Sequence, residues 1–111
     1  MKIVADKNIP FLEGVFEPYA EVVYIDGRAI NHNDIIDADA LIIRTRTKCN
    51  AALLDGTKVS MIATATIGTD HIDLDYCKKR GIVVCNVPHY GEATVAEFAF
   101  GLLLALSRKI I

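Results

Sequence analysis

The sequence predicts an open α/β fold, a parallel sheet of five strands with helices packed on it, and three observations lead there. Short runs rich in Val and Ile recur along the chain. Segments with helical spacing and capping residues separate them. A content of 52% hydrophobic and 23% charged residues over 111 positions is that of one domain with a real core.

The five runs are Lys2–Ala5, Glu21–Ile25, Ala40–Arg44, Val59–Ala65 and Ile82–Asn86, each short enough to be a strand. Between the first two, Pro10 stands where a helix favours starting. Phe11, Leu12, Val15, Phe16 and Tyr19 then gather on one face, which predicts a first helix. Asp26-Gly27 closes the second strand. A short helix is expected through Asp34, Ile35 and Ile36, capped by Asn31 or Asn33.

Asn50 is placed to cap a brief helix through Ala51, Leu53 and Leu54, ended by Asp55-Gly56. Asp73 opens another that ends in Lys79-Arg80-Gly81, acid first and base last as the helix dipole favours. Residues 92–109 contain no proline and one glycine, Gly101, and predict the longest helix, apolar nearly all round from Thr94 to Arg108. Such a helix needs cover. It is expected to complete the fold or to pair with another copy of the chain as a homodimer. Short connections between five strands and flanking helices suggest a flavodoxin-like three-layer sandwich of strand order 2-1-3-4-5, with helices on both faces.

Composition excludes several functions. Twelve Lys and Arg against 14 Asp and Glu leave a net charge of −2, with no broad basic field for nucleic acid or an anionic membrane. Three cysteines, Cys49, Cys77 and Cys85, form no C-x-x-C pair and no disulfide framework, as expected of reduced thiols in a cytoplasmic protein. The three histidines have no metal-ligand spacing, and no metal is expected. Neither G-x-G-x-x-G nor G-x-x-x-x-G-K occurs, so the sequence carries no nucleotide-phosphate fingerprint of its own.

In an open α/β sheet, ligands bind beyond the carboxyl ends of the strands. The third such loop, Arg44-Thr45-Arg46-Thr47-Lys48, offers three cations and two hydroxyls in five residues, a set suited to a carboxylate or phosphate. The plainer reading is surface charge pairing with Asp37, Asp39 or Asp70. In the fourth loop, Gly68 permits a turn whose consecutive amides converge on an anion. Asp70 and His71 look like acid–base equipment, but adjacent residues on an extended chain point apart, and structural roles are the plainer reading.

Taken together, three stretches resemble the D-isomer-specific 2-hydroxyacid dehydrogenases: Arg44–Lys48; Ala63–Asp73, which reads ATATIGTDHID; and Asn86-Val87-Pro88 followed by Thr94-Val95-Ala96-Glu97. The resemblance runs along the whole chain. Residues 6–10, 37–40 and 64–71 resemble one branch of the family and residues 87–100 others, which leaves the particular hydroxy acid open.

The resemblance implies a substrate-side domain over residues 1–91 and a helix, 92–111, that leads into a Rossmann domain holding NAD. It places the amides of Ile67 and Gly68 on the substrate carboxylate, with Thr45 and Thr66 as further contacts; Arg44 joins them from the composition of its loop. Thr94 and Val95 match the approach to the nicotinamide, although capping and core packing would explain them equally. The ligand implied is a small 2-hydroxy acid or its phosphate. The family's catalytic Arg, Glu and His match no residue here, so hydride transfer by this chain alone is not expected. The alternative is a stand-alone or engineered flavodoxin-like scaffold, or a small-anion-binding module, without enzyme activity.

Overall fold

A computed structural model describes residues 1–9, 12–66 and 68–86. Five strands form a single parallel sheet: β1 (Lys2–Asp6), β2 (Glu21–Ile25), β3 (Ala40–Ile43), β4 (Met61–Thr64) and β5 (Val83–Asn86), in the order β2-β1-β3-β4-β5. The register sets Val4 beside Val23 and Leu41, and Thr64 beside Ile43 and Asn86. Strand ends lie within a residue or two of the expected ones, the ordinary uncertainty of a frayed boundary.

The central strands are buried on both faces, and their alternation divides two cores. Val4, Leu41, Ile43 and Ile62 enter one, together with Ile35, Leu53, Leu54 and Cys77 from the helices. Ile3, Ala5, Ala40, Ile42, Met61 and Ala63 enter the other, closed by Leu12 and Phe16. Completely burying one such aliphatic side chain contributes about 1.5–3 kcal/mol, so the two faces of the sheet supply most of the driving force.

The described helices are α1 (His32–Ile35), α2 (Ala51–Leu54) and α3 (Leu74–Arg80). At α1, Asn31 accepts from the Asp34 amide while Asp34 accepts from the Asn31 amide, a reciprocal cap that decides between the two asparagines. Asn50 accepts from Leu53 N at 3.2 Å, and Asp73 accepts from Tyr76 N at 3.0 Å. Gly81 ends α3 with φ of +72°, the left-handed conformation that a side chain would strain.

The expected first helix is not found: residues 12–20 form successive turns. Gly14 adopts φ of +91°, and Pro18 in a helix would both lack a donor and strike the carbonyl of residue 14. Leu12 and Phe16 are buried nevertheless, while Tyr19 is 71% exposed. The apolar spacing therefore marked the burial of Leu12 and Phe16, though not of Tyr19, without marking a helix. The expected helix over residues 92–109 lies outside the described residues.

Candidate functional site

The chain leaves β1 for β2 on one side and returns to β3 on the other, so the order reverses between β1 and β3. At their carboxyl ends this reversal opens the crevice where α/β sheets take ligands. Arg44, directly after β3, spans it and donates from Nη1 to the Asn8 carbonyl at 3.0 Å. Thr45 and Arg46 follow as exposed residues.

Among the described residues, no ion pair joins Arg44, Arg46 or Lys48 to Asp37, Asp39 or Asp70. Asp37 instead takes Lys2 at 2.9 Å and Asp39 takes Lys58 at 3.5 Å, at the amino ends of the strands. The loop's cations are thus not spent on the acids that the plainer reading gave them. Thr47 differs from its neighbours: it is 3% exposed and donates to the Gly27 carbonyl at 2.8 Å, so it ties the β3 loop to the β2 loop.

Beneath that tie lies Asp6, the last residue of β1, 1% exposed. One carboxylate oxygen, Oδ1, accepts from Asn8 N at 2.9 Å; Oδ2 has no hydrogen-bond partner among the described residues. Gly27 packs directly on Oδ2, and a Cβ at position 27 would overlap it. Sequence reasoning missed this knot, because nothing in the spacing of Asp6, Gly27 and Thr47 announces that they meet.

The β4 loop carries the second half of the site. Thr64, fully buried at the strand's end, meets Thr66 Oγ1 at 2.6 Å and His71 Nε2 at 3.0 Å through its own Oγ1. Thr66 Oγ1 donates to the Gly68 carbonyl at 2.8 Å. Thr64 and His71 were not among the expected site residues; the signal available was Thr64 and Thr66 at a spacing of two, which sets both side chains on one side of an extended chain.

The His71 carbonyl accepts from Cys49 N at 2.8 Å, which fastens this loop to the start of α2. Lys48, Asn50, Asp70, His71 and Asp73 line an open cleft of about 240 Å³ between the two loops. Burial lowers the His71 pKa and the nearby Asp70 carboxylate opposes it, so the neutral ring is favoured below its ordinary range. Burial pushes the Cys49 thiol up to about 12, which makes it a core residue rather than a nucleophile.

Gly68 is exposed, and among the described residues a Cβ there would meet nothing within 4 Å. Of the expected site residues, the structure brings Arg44, Thr45, Thr66 and Gly68 to the same end of the sheet, on the loops of adjacent strands β3 and β4. Ile67, Thr94 and Val95 lie outside the described residues.

This strand order, with cationic and hydroxyl side chains on neighbouring loops at the carboxyl ends of the strands, defines an open α/β domain like those of dehydrogenases. The family model for the catalytic domain of D-isomer specific 2-hydroxyacid dehydrogenases matches residues 2–108, and the chain belongs to that family.

Within it, the chain is similar to erythronate-4-phosphate dehydrogenase. It is 47% identical to that of Shewanella loihica over 110 residues, 98% of this chain and 29% of the relative. It is 50% identical to that of Bacteroides thetaiotaomicron over 105 residues, 94% of this chain and 30% of the relative. The chain therefore spans under a third of the length of these curated relatives.

Among solved structures, D-lactate dehydrogenase from Aquifex aeolicus, in complex with NAD and lactic acid, matches with a TM-score of 0.68 and 29% identity over 96% of this chain and 33% of that one. The NAD+-bound 3-phosphoglycerate dehydrogenase of Entamoeba histolytica matches at 0.65 and 34% identity, over 78% of this chain and 32% of that one. NAD is the cofactor of these family members. The described residues contain no G-x-G-x-x-G turn.

Proposed function

We propose that this chain is the substrate-binding part of an NAD-dependent D-2-hydroxyacid dehydrogenase, and that its substrate is erythronate 4-phosphate or a close phosphorylated hydroxy acid. The observation that carries the reading is the convergence of Arg44, Thr45, Thr66 and Gly68 at the carboxyl ends of β3 and β4. Arg44 and the two threonines supply donors to an oxyanion, and the bare surface over Gly68 lets a carboxylate approach the backbone closely. The identities of 47% and 50% to erythronate-4-phosphate dehydrogenase support the phosphorylated acid over lactate.

What these residues do is bind and orient. A hydride acceptor and a proton donor at the substrate oxygen would have to come from other parts of the enzyme, so the 111 residues alone are expected to transfer no hydride. Residues 1–91 would form the substrate domain and residues 92–111 the helix toward the dinucleotide domain or a second subunit.

Isothermal titration of the chain with 4-phospho-D-erythronate tests the reading. Saturable binding that is at least tenfold weaker for D-lactate, and weakened about tenfold by Arg44→Ala, is the expected result. Equal or absent heats for both acids would remove it. An assay for NADH oxidation with the same chain is expected to read no turnover.

A further inference from the structure

Counting protons fixes a direction in the hydroxyl chain at the end of β4. The Gly68 carbonyl can only accept, so the single hydroxyl proton of Thr66 is directed to it. Thr66 therefore cannot donate to Thr64, and across their 2.6 Å contact Thr64 must donate to Thr66. The one proton of Thr64 is then used, and across the 3.0 Å contact His71 Nε2 must donate to Thr64. The order is His71 Nε2–H to Thr64, Thr64 to Thr66, Thr66 to the Gly68 carbonyl.

Protonation of His71 at Nδ1 leaves this order unchanged, because Nε2 is a donor in both the neutral and the charged ring. Thr64 is fully buried and cannot itself reach a ligand. Among the described residues, its side-chain partners are the ring behind it and the hydroxyl in front, which makes it a fixed link between a part-exposed histidine and the rim of the site.

We infer that His71 and Thr64 are positioning residues that hold Thr66 as an outward donor to an oxyanion of the substrate. The inference rests on the proposed substrate site. With Thr64 occupying one lone pair of Thr66, the Thr66 proton has two destinations, the Gly68 carbonyl or a ligand oxygen, and a bound carboxylate or phosphate takes it by rotation of one hydroxyl. Releasing the Gly68 carbonyl at the exposed rim costs little, since water can replace the lost bond.

The test uses two readouts on the intact chain. In the ligand-free protein, long-range nitrogen–proton correlation spectra of the neutral His71 ring are expected to show the proton on Nε2. In Thr64→Val, that preference relaxes and the affinity for 4-phospho-D-erythronate falls about fivefold, the value of one hydrogen bond; Thr64→Ser restores both. His71→Gln, which keeps a donor at the same reach, retains more affinity than His71→Leu; this pair carries the test if Thr64→Val does not fold. Parallel titrations with D-erythronate and inorganic phosphate show which end of the substrate takes the Thr66 proton, by which of the two loses the same factor in Thr64→Val. A ring proton on Nδ1 in the wild type, or wild-type binding that Thr64→Val and His71→Leu both keep in full, overturns the inference while the site stands. Absence of binding by the wild type removes the site and the inference with it.

Discussion

Gly27 and Gly68 both follow strands of the same sheet at the same end, and they serve opposite purposes. Gly27 is packed shut: a Cβ there would overlap the Asp6 carboxylate, and its carbonyl accepts from buried Thr47. Gly68 has nothing among the described residues within 4 Å of where a side chain would begin. The same residue type is a packing requirement in the β2 loop and a clearance in the β4 loop. One half of this end of the sheet is thus a rigid knot and the other an accessible rim. A ligand is expected only at the rim.

Breaking this contrast should produce unequal effects. Gly27→Ala forces a methyl into the Asp6 carboxylate and is expected to cost about 2–3 kcal/mol by urea denaturation, whereas Gly68→Ala should change stability by less than about 0.5 kcal/mol. In titrations with 4-phospho-D-erythronate the ranking reverses, with Gly68→Ala the variant that impairs binding. Equal stabilities for the two variants would dissolve the distinction.

Thr47→Val sharpens the same comparison at smaller scale. It keeps the shape but leaves the Gly27 carbonyl without its buried donor, an expected loss of about 1–2 kcal/mol measured as a lower urea midpoint. Thr45→Val, two residues earlier and exposed, should leave the midpoint within about 0.5 kcal/mol of wild type.

The smallest effect is a pH dependence. The folded state lowers the His71 pKa below its unfolded value, so the fold favours the neutral ring. Its contribution is fully present above the unfolded pKa, near 6.5, and is lost as pH falls from there toward the lower folded value. The urea midpoint of wild type should therefore drop relative to that of His71→Gln as pH is taken from 7 to 5. A difference that grows instead would contradict the direction of the shift.

Much of this architecture was legible in the residues. Val- and Ile-rich runs located all five strands, and Asn50, Asp73 and Gly81 marked helix ends because capping is local chemistry. The segment around Leu12 and Phe16 was misread, since apolar spacing records which side chains are buried and is blind to the backbone, which Gly14 and Pro18 turn out of a helix.

The site divides in the same way. The placement of Arg44, Thr45, Thr66 and Gly68 at this end of the sheet was legible because they stand next to strand ends, a rule that needs only the strands. The Asp6–Gly27–Thr47 knot and the bond from His71 to Thr64 depend on which loops meet in space. Positions 6, 27 and 47 come together only when β1 lies between β2 and β3, and no local pattern carries that information.

The most direct measurement is an amide chemical-shift map of the chain as 4-phospho-D-erythronate is added. Substrate binding at the rim predicts that Arg44, Thr45, Thr66 and Gly68 move together with one saturation curve, while Gly27 and the capped start of α3 at Asp73 hold still. Shifts centred on Gly27 and Asp6, or the absence of any shift at Gly68 when other amides saturate, would contradict it.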